Sequence, residues 1–194
     1  MGDTNQRLFL ERAALKVEGP ILEIGSKDYG STEDFRALFP ATPFVGIDLA
    51  SGKGVDHIVD LTLPPPTDIL PPASFGLVIC CSVLEHVKKP WVMAEYMSSL
   101  VKKGGYVFIS VPWVWRYHAY PDDYFRFSPN GVKVLFPEIS FADMAYSTTV
   151  TDEFLDLEDG INGVDDAKCQ YQRDGKDLRK FLPYLMVNMV GQKV

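Results

Sequence analysis

Among 194 residues there are only three cysteines. Cys80 and Cys81 are neighbours inside an apolar run, and Cys169 stands alone. An odd count without a spacing pattern excludes a disulfide framework and suits a reducing compartment. No Cys/His spacing resembles a zinc site, and nothing in the spacing demands another metal. Long apolar runs are also missing. The longest, Phe75–Leu84, stops at Glu85, well short of the ~20 residues that span a bilayer. Met1–Arg7 is polar and lacks the apolar stretch of a signal peptide. Gln6 stands where a myristoylation signal wants Ser or Thr. Basic residues are outnumbered, 19 Lys and Arg against 26 Asp and Glu, for a net charge of −7. That balance argues against a phosphate-backbone partner. The expectation is a cytoplasmic protein with neither a membrane nor a nucleic acid as partner.

What remains is the composition of an ordinary globular domain, 46% apolar and 23% charged. A chain of this length buries about 70% of its unfolded surface and needs no staple. No repeat and no linker divides it, so residues 1–194 read as one domain. Short apolar runs at Pro20–Ile24, Phe44–Leu49, Asp56–Val59, Phe75–Ser82 and Tyr106–Val111 read as five strands. Runs this continuous fit strands buried on both faces, as in a parallel sheet. Two more are expected at Phe141–Val150 and Leu185–Gly191, with an antiparallel strand near the edge.

Helical patterns lie between them. In Pro90–Lys102, the residues Met93, Tyr96, Met97, Leu100 and Val101 share one face. Pro90 suits its first turn, Lys102 and Lys103 its C-terminal end, and Gly104 its stop. Further helices are expected at Thr4–Lys16, from Ser31 with Asp34 three residues on, and at Pro129–Leu135. The link from strand two to strand three is too short for a helix. The next contains Pro64-Pro65-Pro66 and Pro71-Pro72 and reads as a loop. The predicted fold is α/β: a Rossmann-like, doubly wound, mostly parallel seven-stranded sheet with shortened helices after strands two and three.

In such a sheet, ligands bind at the carboxyl ends of the strands. Strand one runs into Gly25-Ser26-Lys27-Asp28-Tyr29-Gly30, where glycine allows close approach of a ligand to the backbone. Strand two ends in Asp48, a residue type able to accept hydrogen bonds from two ribose hydroxyls. Strand three is followed by Asp60-Leu61, a carboxylate beside an apolar side chain, suited to an adenine. Strand four runs into Cys81-Ser82-Val83-Leu84-Glu85-His86-Val87.

Four pieces in order resemble the class I S-adenosylmethionine-dependent methyltransferases, in particular the small-molecule branch called type 11. They are Leu22-Glu23-Ile24-Gly25, Val45-Gly46-Ile47-Asp48, Phe75-Gly76-Leu77-Val78 running into Val83-Leu84-Glu85-His86-Val87, and Leu100-Val101-Lys102-Lys103-Gly104-Gly105. The matching core covers about Pro20–Pro112. The resemblance implies S-adenosyl-L-methionine as cofactor. It implies that Glu23, Gly25 and Ser26, with Lys27 and Gly30 of the loop, surround the methionine portion. Asp48 and Leu49 would meet the ribose, and Asp60 and Leu61 the adenine. The backbone at Cys81 and Ser82 would accept from the methionine ammonium, and His86 would lie near the methyl group. The chain departs from the family at Lys27 and Tyr29, where glycines are usual, and at Gly76, where an acid is usual.

Methyl transfer from a sulfonium is an in-line displacement, so the protein mainly aligns the reacting atoms. A hydroxyl acceptor also needs its proton removed. The segment Trp113–Arg126 after strand five gathers aromatics, His118, Asp122 and Asp123. Aromatic walls with a few polar groups are what small-molecule sites use. His118 is the favoured base, with His86, Asp122 and Asp123 as alternates, and the expected partner is a small-molecule methyl acceptor. Asp152–Asp166 is acidic and Lys168–Lys180 basic, which reads as a solvated loop or a lid. A dinucleotide-dependent oxidoreductase would use the same glycine loop and Asp48, but Lys27 breaks the Gly-x-Gly-x-x-Gly it expects. A non-catalytic cofactor-binding protein is a third alternative.

Overall fold

The structure is a computed structural model and describes residues 3–119, 122–157 and 184–194. Cys169 and most of the acidic-then-basic loop lie outside these residues. The strands are β1 (Ile21–Ile24), β2 (Phe44–Asp48), β3 (His57–Ile58), β4 (Phe75–Cys81), β5 (Val101–Val114), β6 (Ile139–Ser147), β7 (Phe154–Asp156) and β8 (Leu185–Lys193). The helices are α1 (Thr4–Arg12), α2 (Pro90–Leu100) and α3 (Pro129–Leu135). One sheet has the order β3-β2-β1-β4-β5-β8-β6-β7. Pairing is parallel from β3 to β5, and β8 runs antiparallel to both β5 and β6. The sheet thus has eight strands rather than seven. The extra one is the three-residue β7, whose brief pattern carries no period to read.

Each face of the sheet buries a different set of side chains. On one, Phe9 and Leu10 of α1 and Phe35 pack against Ile21, Leu77, Ile79, Phe108 and Val190. On the other, α2 and α3 supply Met93, Met97, Leu100, Val132 and Phe136 against Leu22, Val78, Val107 and Ile109. Both sides of β4 are covered, so every one of its residues is buried. Helix α1 is fastened to the far edge as well. Asn5 donates to the carbonyls of Thr148 and Val150 and accepts from the Asp152 amide.

Three expected helices are shorter than the sequence suggests, and the first, α1, ends at Arg12 rather than Lys16. The segment after Ser31 forms only a 3₁₀ turn, Phe35–Leu38, capped by Asp34 rather than Ser31. Helix α2 starts at Pro90 as expected but ends at Leu100. Val101 is already extended and pairs with Phe75, and the register shifts before Leu77 meets Tyr106. Lys102 therefore lies in the strand, 3.8 Å from Glu18, and not at a helix end. The pull of β4 on β5 overrides the local helical pattern. Among the described residues no helix is long and apolar enough to cross a membrane.

Candidate functional site

A cavity of about 370 Å³ opens at the carboxyl ends of β1, β2, β3 and β4. Its walls are mostly apolar, with Ile24, Ile47, Val59, Leu61, Val83 and Met93 among them. That combination of volume and lining is what small-molecule sites use.

At one end the polar groups come from β1, β2 and the segment after β3. Gly25 lines the cavity with φ +74, a conformation that favours glycine. Asp48 accepts from the Lys27 amide (3.3 Å) and the Ala50 amide (3.2 Å), which fixes its carboxylate at the cavity wall. Asp60 is turned by Thr62, whose amide and hydroxyl reach its Oδ1 at 2.9 and 2.7 Å. Leu49 forms an exposed part of the rim. Behind the cavity, on the face of β2 opposite Ile47, Gly46 lets the chain pack closely, since a Cβ there would stand 2.2 Å from the Gly54 carbonyl oxygen and 2.6 Å from Ser26 Oγ.

Ser82 turns the chain out of β4 with φ +53, a conformation that strains a non-glycine residue. A buried polar chain holds it there. Gln6 Nε2 donates to Ser82 Oγ (3.0 Å) and to Ser110 Oγ (2.9 Å). Ser110 donates to Asn188 Oδ1 (2.7 Å), and Asn188 donates to Ser147 Oγ (2.8 Å). Gln6 also caps its own helix, accepting from the Asp3 amide at 2.7 Å. The spacing of Asp3 and Gln6 marks a helix start, but nothing in the sequence ties Gln6 to Ser82.

At the other end stands His86, in the 3₁₀ turn Leu84–His86. Its Nδ1 is 2.6 Å from the Asp122 carbonyl oxygen, which fixes the ring. Its Nε2 is buried and has no hydrogen-bond partner. Burial lowers the imidazole below its ordinary value, the more so with His118 nearby. Glu85, 1% exposed, is pushed up to about 7 by burial. The rings of His86 and His118 meet edge to face, 5.0 Å between centroids.

Of the residues expected at the site, Gly25, Asp48, Leu49, Asp60, Leu61, Ser82 and His86 line the cavity. Glu23, Ser26, Lys27, Gly30, Cys81, His118 and Asp122 do not. Strand alternation turns Glu23 to the same face as Ile21, away from Leu22 and Ile24. Cys81 packs on that face too. Burial pushes the Cys80 thiol up to about 12 and Cys81 well above its ordinary value, so neither is a ready nucleophile. Ser26 Oγ donates to the Ile47 carbonyl at 3.3 Å.

The lengthened glycine loop is pinned outward. Asp28 accepts from Lys53, Thr32 and the Gly30 amide, each at 2.7 Å. The Lys27 stem lies over Gly52, and its ammonium is 5.3 Å from the Tyr29 ring centre. Tyr29, which stands where the resembled family usually has glycine, lines the cavity wall. Asp122 contributes its carbonyl, while its carboxylate accepts from the Tyr124 hydroxyl at 2.6 Å. Asp123 is bound by Arg126 and by the His118 amide (2.8 Å), which hold its carboxyl well below the usual range.

The donors fit a nucleoside cofactor with an amino-acid tail. There is a fixed acceptor at Asp48, an apolar slot between Val59 and Leu61, and a close backbone turn at Gly25 and Ser82. Comparison with known proteins bears on the same point. Residues 2–144 match a family described as a methyltransferase domain. No curated protein sequence matches the chain significantly. The fold is similar to that of the YcgJ protein of Bacillus subtilis (TM-score 0.63, 13% identity, 97% of each chain covered). It is also similar to a SAM-dependent methyltransferase from Archaeoglobus fulgidus (TM-score 0.61, 14% identity, covering 96% of this chain and 92% of that one). A third likeness is to the 1,6-didemethyltoxoflavin-N1-methyltransferase of Burkholderia thailandensis, solved with S-adenosylhomocysteine (TM-score 0.62, 13% identity, covering 99% and 79%). With a family match over most of its length and a sheet and cavity to suit, the chain belongs to the methyltransferase-domain family of class I S-adenosylmethionine-dependent enzymes.

Proposed function

We propose that this enzyme transfers a methyl group to an oxygen or nitrogen of a small molecule. The observation that carries the reading is the polarity of the cavity, which runs from Asp48 and Asp60 at one end to His86 at the other. In this reading Asp48 takes the ribose hydroxyls, and Asp60 and Leu61 meet the adenine. Gly25 and Ser82 turn their backbone toward the methionine portion. The cofactor, when bound, supplies a methyl activated by its sulfonium charge. The protein aligns the acceptor with that methyl and excludes water from it. The acceptor lies against Val83, Val87 and His86, and its proton leaves at the cluster of Glu85, His86 and His118.

His86 is favoured over His118 as the group that reaches the acceptor, because it lines the cavity and His118 stands behind it. Asp122 acts through its carbonyl, orienting the His86 ring. Residues 1–112 carry the cofactor and also supply Val83, His86 and Val87 on the acceptor side, while the following segment acts by holding His86 through the Asp122 carbonyl. The Burkholderia thailandensis neighbour, a 1,6-didemethyltoxoflavin-N1-methyltransferase solved with bound 1,6-didemethyltoxoflavin, supports the acceptor class.

The test uses the full chain with cofactor labelled in its methyl group. It is offered three fractions of a cell extract: small molecules, proteins and RNA. Label transferred to the small molecules, and found by mass spectrometry or NMR of the product on oxygen or nitrogen, supports the reading, while label on carbon or sulfur overturns it. Label in protein or RNA overturns the acceptor class.

A further inference from the structure

Two buried side-chain atoms of adjacent residues have no partner: His86 Nε2, whose residue lines the cavity, and Glu85 Oε2 beside it. They belong to one cluster. Glu85 Oε1 lies 3.8 Å from His86 Nε2, too far for a hydrogen bond. With His118 added, one donor atom from each of the three residues lies within 4.8 Å of the others. Glu85 itself is 1% exposed, so its carboxylate is out of reach of compensating water.

The surroundings orient both rings the same way. His86 Nδ1 faces the Asp122 carbonyl oxygen at 2.6 Å. His118 Nδ1 faces the Arg116 carbonyl oxygen at 3.2 Å and Asp123 Oδ2 at 3.3 Å. With each Nδ1–H donated to such an acceptor, each Nε2 keeps its lone pair. A second nitrogen held by a carbonyl or carboxylate is the usual outer shell of a metal-bound histidine. Asp123 is itself committed to Arg126, so its charge is already answered.

We propose that Glu85, His86 and His118 hold one divalent transition-metal ion of the Zn²⁺ type at the acceptor end of the cavity. Two imidazoles and one carboxylate are the donor set of a borderline cation, not of Mg²⁺ or Ca²⁺, which prefer oxygen. Ligand bonds of about 2.0–2.2 Å put the donor atoms roughly 3–4 Å apart. The donor atoms lie within 4.8 Å of one another, so a small inward rotation of the partly exposed His118 closes the set. Three protein ligands leave at least one coordination position open. Since His86 lines the cavity, that position faces the acceptor. This last step rests on the acceptor reading above, whereas metal binding itself does not. A cation there acidifies a bound hydroxyl, which explains how the proton is lost without a free imidazole.

The experiment titrates Co²⁺, a coloured substitute for Zn²⁺, into chelator-treated full-length protein and follows visible absorption. The result expected is one equivalent bound, displaced by Zn²⁺. Glu85→Gln and His118→Ala each weaken binding by more than about 100-fold, beyond the ~10–100-fold that loss of an outer-shell partner costs. His118 is partly exposed, so His118→Ala keeps the test valid should Glu85→Gln fail to fold. His57→Ala, which removes an exposed imidazole on β3, leaves binding unchanged. Absence of stoichiometric uptake, or uptake that survives His118→Ala, overturns the proposal. S-adenosylhomocysteine binding, read by calorimetry on the same chelated protein, separates the two readings. If it persists while cobalt fails to bind, the metal site falls and methyl transfer stands.

Discussion

The two ends of the cavity are built on different principles. The cofactor end uses backbone turns and carboxylates at the tips of neighbouring parallel strands, each oriented by nearby amides. The acceptor end uses side chains from a 3₁₀ turn and from a loop more than thirty residues further along, locked by Asp122, Asp123 and Arg126. A site of the first kind is as rigid as the sheet beneath it. A site of the second kind is only as well placed as its loop, and in the proposed reading it is where an acceptor is chosen without disturbing the cofactor.

His86→Ala gives the strongest test of that division. It removes the only imidazole on the cavity wall among the described residues. Methyl transfer to the acceptor identified by labelling should fall by roughly 10²–10⁴-fold, the span expected for lost proton handling. S-adenosylhomocysteine affinity, measured by calorimetry, should stay within about threefold of the parent. A comparable loss of cofactor affinity would show that the two ends are one unit.

Gly46→Ala strikes the packing behind β2. The new methyl would meet the Gly54 carbonyl oxygen, a backbone atom with no rotamer to yield. The expected cost is about 3 kcal/mol of stability, read by urea denaturation. Asp48→Ala leaves the fold intact and removes the fixed acceptor at the tip of β2. Two hydrogen bonds to a charged group are worth about 3 kcal/mol, or some 100-fold in S-adenosylhomocysteine affinity, after partial replacement by water. Affinity unchanged by Asp48→Ala would remove the cofactor end as drawn.

The same contrast decides what was legible in the sequence. Parallel strands run continuously apolar because both faces are covered, so β1, β2, β4 and β5 stand out by composition. The spacing of Gly25 and Asp48 follows from one strand–turn–strand unit and is visible as spacing. Glu85 and His118 carry no such mark, since they meet only through the loop that Arg126 and Asp123 fold back. Gln6 is marked as a helix cap while its contact with Ser82 is a tertiary event. Val101 continues the helical period of α2 in the sequence, and pairing with Phe75 cancels it. The family resemblance puts Glu23 at the cofactor, whereas strand alternation turns its side chain to the other face.

Glu23 supplies the smallest effect and the sharpest boundary. Burial raises its carboxyl from 4.5 to about 7, only partly offset by the charge of Arg36. Between those values the folded chain holds a proton that the unfolded chain has released. The unfolded state then binds fewer protons, so this group's stabilisation is full below about 4.5 and declines as pH rises to about 7. Each pK unit corresponds to about 1.4 kcal/mol, and residual water contact reduces the total to roughly 2 kcal/mol. Glu23→Gln removes the proton equilibrium. The variant should match the parent near pH 4.5 and exceed it by about that amount at pH 8, in melts at constant ionic strength. The difference between the two proteins isolates Glu23 from Glu85, which titrates in the same range. S-adenosylhomocysteine affinity should meanwhile change by less than about twofold, because the side chain faces away from the cavity. A tenfold loss would return Glu23 to the cofactor end and show that the boundary between the two faces of β1 is crossed when the cofactor binds.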